Sequence, residues 1–361
     1  MKKTILLLIA ISFIASIAFS EDDSELAKTL SKLAGSAAQG FVGPAGSGFG
    51  NNLNLGWSHK APSSKLFGID IEIGVVAAGT FVTDENKTFD VNGSFRFNDP
   101  QAQAIANGLP NGTPQAVRDT FIANLKNNDV TVRFAGPTVL NGDGSPVIVE
   151  YSPGSVTVNG QPYNVESYTD TLDGVKGFDL PLVPLFLPQI SLGTVYGTSL
   201  TLRGAPIDIP AGDFGKVRFF GFGIQHNIGS WVPIPFVDVA LAFSTTSFTV
   251  KAKQNSKDQE LLKTKATSFG INVSKQFGVG FFNVTPYAGF GIENSNTTVS
   301  YDAPLNTPTG PVTIPFSVEF KGENKTRLTA GLSLRLGVIN INADYNLGKS
   351  NSASAGFFFA F

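Results

Sequence analysis

The sequence has 361 residues, no cysteine, a formal net charge of −2, and 15% charged against 42% hydrophobic residues. A slightly acidic balance argues against a nucleic-acid partner, and the lack of cysteine excludes a disulfide scaffold and a lipoprotein anchor. Thirty-one phenylalanines and 39 glycines in a chain this poor in charge suit β-structure facing an apolar solvent.

Residues 1–20 read as a secretory signal peptide. Met1-Lys2-Lys3 is positive, Thr4 to Ile17 is nearly unbroken apolar sequence, and Ala18 and Ser20 are small residues placed for cleavage before Glu21. After residue 20 no window has the roughly 18 continuous apolar residues of a membrane helix. Residues 22–34 read as a short amphipathic helix. Asp22 and Glu25 form a capping box, Leu26, Leu30 and Leu33 share one face, and Gly35 is the stop. The glycine-rich run AAQGFVGPAGSGFGNN follows, and its composition predicts no regular element throughout. Together, 21–48 form an N-terminal segment that folds into a barrel lumen as a plug, with Leu26, Leu30 and Leu33 on the wall. A periplasmic amphipathic tail is the rival reading.

From residue 49 onward the chain alternates with period 2. Strands are expected over 49–58, 66–82, 184–193, 198–206, 214–228, 235–250, 263–277, 280–300, 313–336, 338–347 and 352–361, with a further one hidden in 87–98. In the last, SASAGFFFAF, one face is Ala353, Ala355, Phe357, Phe359 and Phe361. The opposite faces carry Gly, Ser, Asn and Thr, with sparse charges of both signs. Such a face suits a crowded wet lumen, and the apolar face suits lipid over a band of roughly 25 Å. Lipid tolerates no open strand edge, so the sheet must close. The candidate lumen-lining residues are Asp70, Glu72, Arg203, Asp238, Glu293, Arg327, Arg335 and Asp344. They either pair across the interior and hold it rigid, or line a path and tune its preference for solutes.

Short turns at Gly337, at 278–280 and near Ser230-Trp231 alternate with longer polar loops at 205–214, 251–263, 302–322 and 348–351. This places the carboxyl end on the periplasmic side. Trp57 and Trp231 flank strands beside turns and, with Phe361, are assigned to the membrane interface. Residues 99–182 form a long extracellular insertion with a short helix at 114–126 and hairpin-like pieces around 129–135, 146–151 and 155–164. It caps the barrel, folds inward to narrow it, or is a surface loop.

Nothing assembles a catalytic centre. His226 follows Phe220, Phe222 and Ile224 in phase and so sits outward beside a turn. His59 has Ser63 and Ser64 nearby, but no nucleophile elbow is present. No metal-ligand spacing, dinucleotide loop or cofactor motif is found.

Four stretches resemble an uncharacterised Bacteroidota-type family of outer-membrane β-barrels: GFGNNLNLGW at 48–57, KLFGIDIEIGV at 65–75, GKVRFFGFGIQHNIGSWVPIP at 215–235 and VTPYAGFGIE at 284–293. The resemblance covers most of the barrel but not 99–182, and it implies fold and location without an activity. A more distant likeness, on layout and the fragment VGPAG at 42–46, is to fatty-acid-transporter-type barrels with an N-terminal plug. Membership among such barrels implies that assembly machinery reads the aromatic strand ending at Phe361.

The expectation is therefore all-β: a closed antiparallel transmembrane barrel over 49–361, of about twelve strands within a range of ten to fourteen. Its surroundings are outer-membrane lipid. Its expected function, without enzymatic activity, cofactor or metal, is a channel for small solutes, hydrophobic ones included, narrowed by the N-terminal segment and the long loop. A general-diffusion porin, or a structural or adhesive barrel acting through 99–182, is the alternative.

Overall fold

The computed structural model describes residues 23–62, 67–97, 99–107, 109, 111–152, 155–158, 161–164, 167–172, 177–210, 216–232, 234–254, 257–279, 281–307 and 310–361. The expected signal peptide lies outside them. In chain order the elements begin with helix α1 (Asp23–Leu53), strands β1 (Phe67–Phe81) and β2 (Thr88–Phe95), and helices α2 (Asp99–Asn107) and α3 (Gln115–Asn127). Strands β3 (Val130–Pro137), β4 (Val147–Tyr151), β5 (Ser155–Val158), β6 (Gln161–Asn164) and β7 (Tyr168–Leu172) follow. Next come β8 (Leu182–Val195), β9 (Thr198–Pro210), β10 (Lys216–Asn227), β11 (Asp238–Gln254) and β12 (Lys257–Ser274). The chain ends with β13 (Phe277–Val279), β14 (Phe282–Thr307), β15 (Gly310–Lys321), β16 (Thr326–Leu336), β17 (Ile339–Leu347) and β18 (Ser352–Ala360). Two compact units emerge: residues 45–82, 180–299 and 319–361, and residues 1–44, 83–179 and 300–318.

The first of these units is a closed antiparallel barrel. Its ring runs β12-β11-β10-β9-β8-β1-β18-β17-β16-β14, and pairing of β12 with β14 closes it. The sheet has twelve strands, but β13 and β15 only pair with β14, so ten strands form the ring. The surplus in the sequence reading has two sources. Residues 49–58 are the end of α1 and a following loop, and the strand suspected in 87–98 is β2, in another sheet.

Closure follows from the alternation. On β18, Ala353, Ala355, Phe357 and Phe359 face outward while Ser352, Ser354, Gly356, Phe358 and Ala360 are buried. The register then aligns outward apolar residues into a continuous belt. Val75 lies opposite Phe357, Phe357 opposite Ile341, Ile271 opposite Phe290, and Phe290 opposite Leu328. A band of exposed Phe, Leu and Ile on a ring without edges is the surface lipid demands. Among the described residues no helix is long and apolar enough to cross a membrane; strands do so here.

Connections of two to ten residues at 196–197, 228–237, 275–281 and 337–338 lie at the end of the barrel that holds Phe361. Expected loops 251–263 and 302–322 are mostly strand. In the first, the register sets Lys251 opposite Glu260 and Lys253 opposite Asp258, so opposite charges favour pairing beyond the apolar belt.

The second unit has its own core. Sheet β2-β3-β4-β7 is antiparallel, and β5 and β6 form a hairpin. Val117, Phe121 and Leu125, one stripe of α3, pack with Phe134, Val132 and Tyr151 of the sheet. Arg133 bridges Asp90 and Glu150 across β2, β3 and β4 at 2.7 and 2.9 Å. Within it, helix residue Phe41 accepts a bond from the Val139 amide at 2.9 Å.

Candidate functional site in the barrel lumen

Residues 45–62 run through the lumen. The glycine-rich run, expected to be irregular, is instead the last part of α1, because small residues let a helix fit between the walls. A Cβ at Gly48 would lie 3.0 Å from Val183, and one at Gly50 2.4 Å from Ser295 Oγ. At the long-loop rim, Asn52 donates to the Val183 carbonyl (2.7 Å), and Thr80 Oγ1 donates to Asn52 Oδ1 (2.8 Å). Ser47 Oγ accepts from the Glu323 amide at 3.1 Å. Below this rim Leu53 and Leu55 are fully buried against Val76, Leu187, Phe219 and Phe358, a small apolar seal inside a polar wall.

The middle of the lumen is a latch. Helix α1 ends at Leu53, where the terminal carbonyls lack partners of their own. Arg203 of β9, 0% exposed, supplies them: Nη1 donates to Leu53 O (3.3 Å), Nη2 to Leu55 O (2.7 Å), and Nε to Gln189 Oε1 (2.9 Å). Its guanidinium lies 3.9 Å from the centre of the Trp57 ring, and Trp57 Nε1 donates to Leu53 O. Glycines on β10 make room for that ring, since a Cβ at Gly223 would sit 2.7 Å from it and one at Gly221 2.9 Å. From the opposite wall Arg327 donates to Asn54 O (2.9 Å) and pairs with Glu293 (2.7 Å).

Toward the short-turn mouth the contacts become ionic. Lys60 bridges Asp70 (2.9 Å) and Glu72 (3.0 Å) of β1. His59 Nε2 lies 3.1 Å from Glu72 Oε2 and 3.0 Å from Asn340 Nδ2, with its ring stacked on Phe358. The Ala61 amide donates to Ser274 Oγ, and Asn227 Nδ2 reaches both Pro62 O (2.6 Å) and Asp238 (3.0 Å). A polar cavity of about 520 Å³ opens here, lined by Lys60, Asp70, Asp238, Gln225, Arg335 and Trp57 among others. A smaller one of about 60 Å³ lies between Trp57, Tyr287, Arg327 and Asp344.

All eight charged residues assigned to the lumen lie inside the barrel. All eight join the interactions above or line its cavities; Asp344 also accepts bonds from Tyr287, Asn346 and Ser354 at 2.6–2.9 Å. Arg335 is held by Asp70 and the Gly337 carbonyl. Trp57 requires correction. It was assigned to the membrane interface because it precedes a strand, yet a cation and two inward glycines hold it in the lumen. Trp231 is 70% exposed at the short-turn end, its ring 4.3 Å from that of His226, and Phe361 is 65% exposed there. Leu26, Leu30 and Leu33 lie on α1 in the second unit, upstream of the lumen segment, and their side chains are outside the described ones. Among the described residues the lumen is occupied by 45–62.

Lys60, Gln189 and Asn340 escaped the sequence reading as site residues, and His59, weighed there only beside Ser63 and Ser64, joins them in the lumen. Paired glycines on the inward phase of β10 were the only local sign that a large ring docks there. His226 faces outward, between Thr198 Oγ1 (2.9 Å) and Ser230 Oγ (3.1 Å). Ser63 and Ser64 lie outside the described residues. Among the described residues no cluster of three acidic, histidine or cysteine side chains is placed to hold a metal.

A family described as "Family of unknown function (DUF6588)" matches residues 1–361. No curated protein matches the sequence. Among solved structures the chain is similar to a bacterial polysaccharide outer membrane secretin, at 11% identity over 81% of this chain and 98% of that one, with a TM-score of 0.31. It is also similar to Ail, the attachment invasion locus protein of Yersinia pestis (11% identity, 45% and 93% covered, TM-score 0.19). A third is the N-terminal β-barrel domain of Pseudomonas aeruginosa OprF (14% identity, 40% and 87% covered, TM-score 0.18).

Proposed function

The chain belongs to this family of unknown function, and from that premise we propose that it is an outer-membrane channel for small polar solutes, held closed by residues 45–62. The observation that carries this reading is the Arg203–Trp57 latch standing directly above a polar cavity of about 520 Å³. A barrel filled only for rigidity gains nothing from an open, hydrated vestibule with five charged side chains at one mouth. The contacts of the latch are hydrogen bonds and a cation–π contact, which break and reform without loss of the ring. The polar cavity favours hydrophilic solutes over the hydrophobic ones that the sequence allowed. Positive and negative charges facing each other across it favour neutral or zwitterionic molecules.

The test is ion conductance in planar bilayers. The full mature chain should be silent, and a chain lacking residues 21–62 should conduct. A steady pore from the intact protein supports a general-diffusion porin instead. Silence from both, with a folded barrel, supports a second reading that one observation favours: the unit containing 83–179 has its own buried core, Phe121 and Phe134 included, as a surface-binding module needs.

A further inference from the structure

The luminal segment has a direction. At its start, Thr80 Oγ1 donates to Gly48 O (3.2 Å) and the Glu323 amide to Ser47 Oγ (3.1 Å), both at the long-loop rim. At its end, Pro62 O accepts from Asn227 and the Ala61 amide meets Ser274, both at strand ends beside the short turns. Strand β1 then begins at that same mouth, where the Ile71 amide donates to Phe361 O (3.1 Å). Helix α1 is continuous from Leu53 back to Asp23. The chain preceding Ala45 therefore leaves the barrel by the long-loop mouth.

We infer that the barrel is threaded by its own chain: residues 45–62 span the lumen from mouth to mouth, and the residues before 45 are displayed on the face of the membrane opposite Phe361. In a lumen sealed by Leu53 and Leu55 this is a different arrangement from a plug inserted from the periplasm, whose free end would lie at the short-turn mouth. At the short-turn mouth the thread is tied by β1, where the Ile71 amide donates to Phe361 O. The barrel thus acts on a polypeptide, its own amino-terminal segment, whatever solute it passes.

The cysteine-free chain makes the test direct. Single variants Asp23→Cys, Lys349→Cys in the loop at 348–351, and Val279→Cys in a short turn are expressed in a Gram-negative outer membrane. They are treated with a membrane-impermeant maleimide. Lys349→Cys and Asp23→Cys should react in intact cells, and Val279→Cys only after permeabilisation. An Asp23→Cys that behaves like Val279→Cys overturns the inference. If Val279→Cys also reacts in intact cells, it is the membrane reading that fails. A Gly48→Cys/Val183→Cys pair then decides the thread, and it decides equally if Asp23→Cys reacts in neither state. A Cβ at Gly48 would lie 3.3 Å from that of Val183. The pair cross-links on oxidation of the purified protein if the thread is present, and its failure to do so overturns the inference.

Discussion

Arg203 is bonded to carbonyl oxygens and an aromatic face where a buried cation more often meets a carboxylate. Its value lies in the fork: two nitrogens reach the Leu53 and Leu55 carbonyls, at and just past the helix end, while the plane stacks on Trp57. Arg203→Met should lower barrel stability by about 1–3 kcal/mol, because the Leu55 carbonyl loses its Arg203 donor and the Leu53 carbonyl keeps only Trp57 Nε1. Arg203→Lys should recover only part of it. Gly223→Val tests the same latch from the wall, since its Cβ would meet the Trp57 ring at 2.7 Å. In a Trp231→Phe background, Trp57 emission should shift to the red as the ring is pushed into the cavity. An unchanged spectrum would remove the glycine groove from the account.

At the scale of elements, the outward phase of every barrel strand answers to lipid. Leu332→Arg or Phe357→Lys, both on the belt, should cost about 2–4 kcal/mol if they lie near the bilayer midplane, read as lower folding yield into vesicles. The same charge at Ser354 would sit inside the barrel beside Asp344, which accepts from Ser354 Oγ at 2.8 Å, and the two effects should differ in salt dependence. The separate unit answers to water and its own core. Burial pushes the Tyr151 phenol up to about 12, against an ordinary value of 10.0. The folded unit therefore holds this proton more tightly than the unfolded chain does. That contribution, about 3 kcal/mol at most, is complete below pH 10 and fades as pH rises toward 12. Tyr151→Phe should flatten the fall in melting temperature over that window. On the exposed face, two guanidinium bonds from Arg133 hold the Asp90 carboxyl below its usual range, so its contribution is lost only as strong acid protonates it.

On the scale of the whole molecule, residues 45–62 fill the lumen, and the proposed channel turns on them. Their deletion, with all ten strands kept, should turn a silent protein into a conducting one. Trp57→Ala should give intermediate, flickering openings in single-channel records. The alternation of 265–277, 328–336 and 339–347 made those strands and their inward faces legible, with Arg335 and Asp344 on the inward phase. Long strand periodicity is set by the two solvents on its two sides and needs no distant partner. What the charges bind was not legible, since Lys60 meets Asp70 and Glu72 only once the chain before β1 has turned into the lumen.

Closure, the outward belt and the aromatic end of β18 were thus determined by the sequence alone, through period 2 and the intolerance of lipid for unpaired backbone. Only the tertiary structure decided that GFGNNLNLGW is helix and loop instead of the first strand. Read locally, its apolar and small polar residues alternate like those of a strand. Inside a ring of ten, the free helix-end carbonyls find Arg203, the glycines find Val183 and Ser295, and Trp57 finds Gly221 and Gly223. Contacts across more than a hundred residues outweighed the local preference.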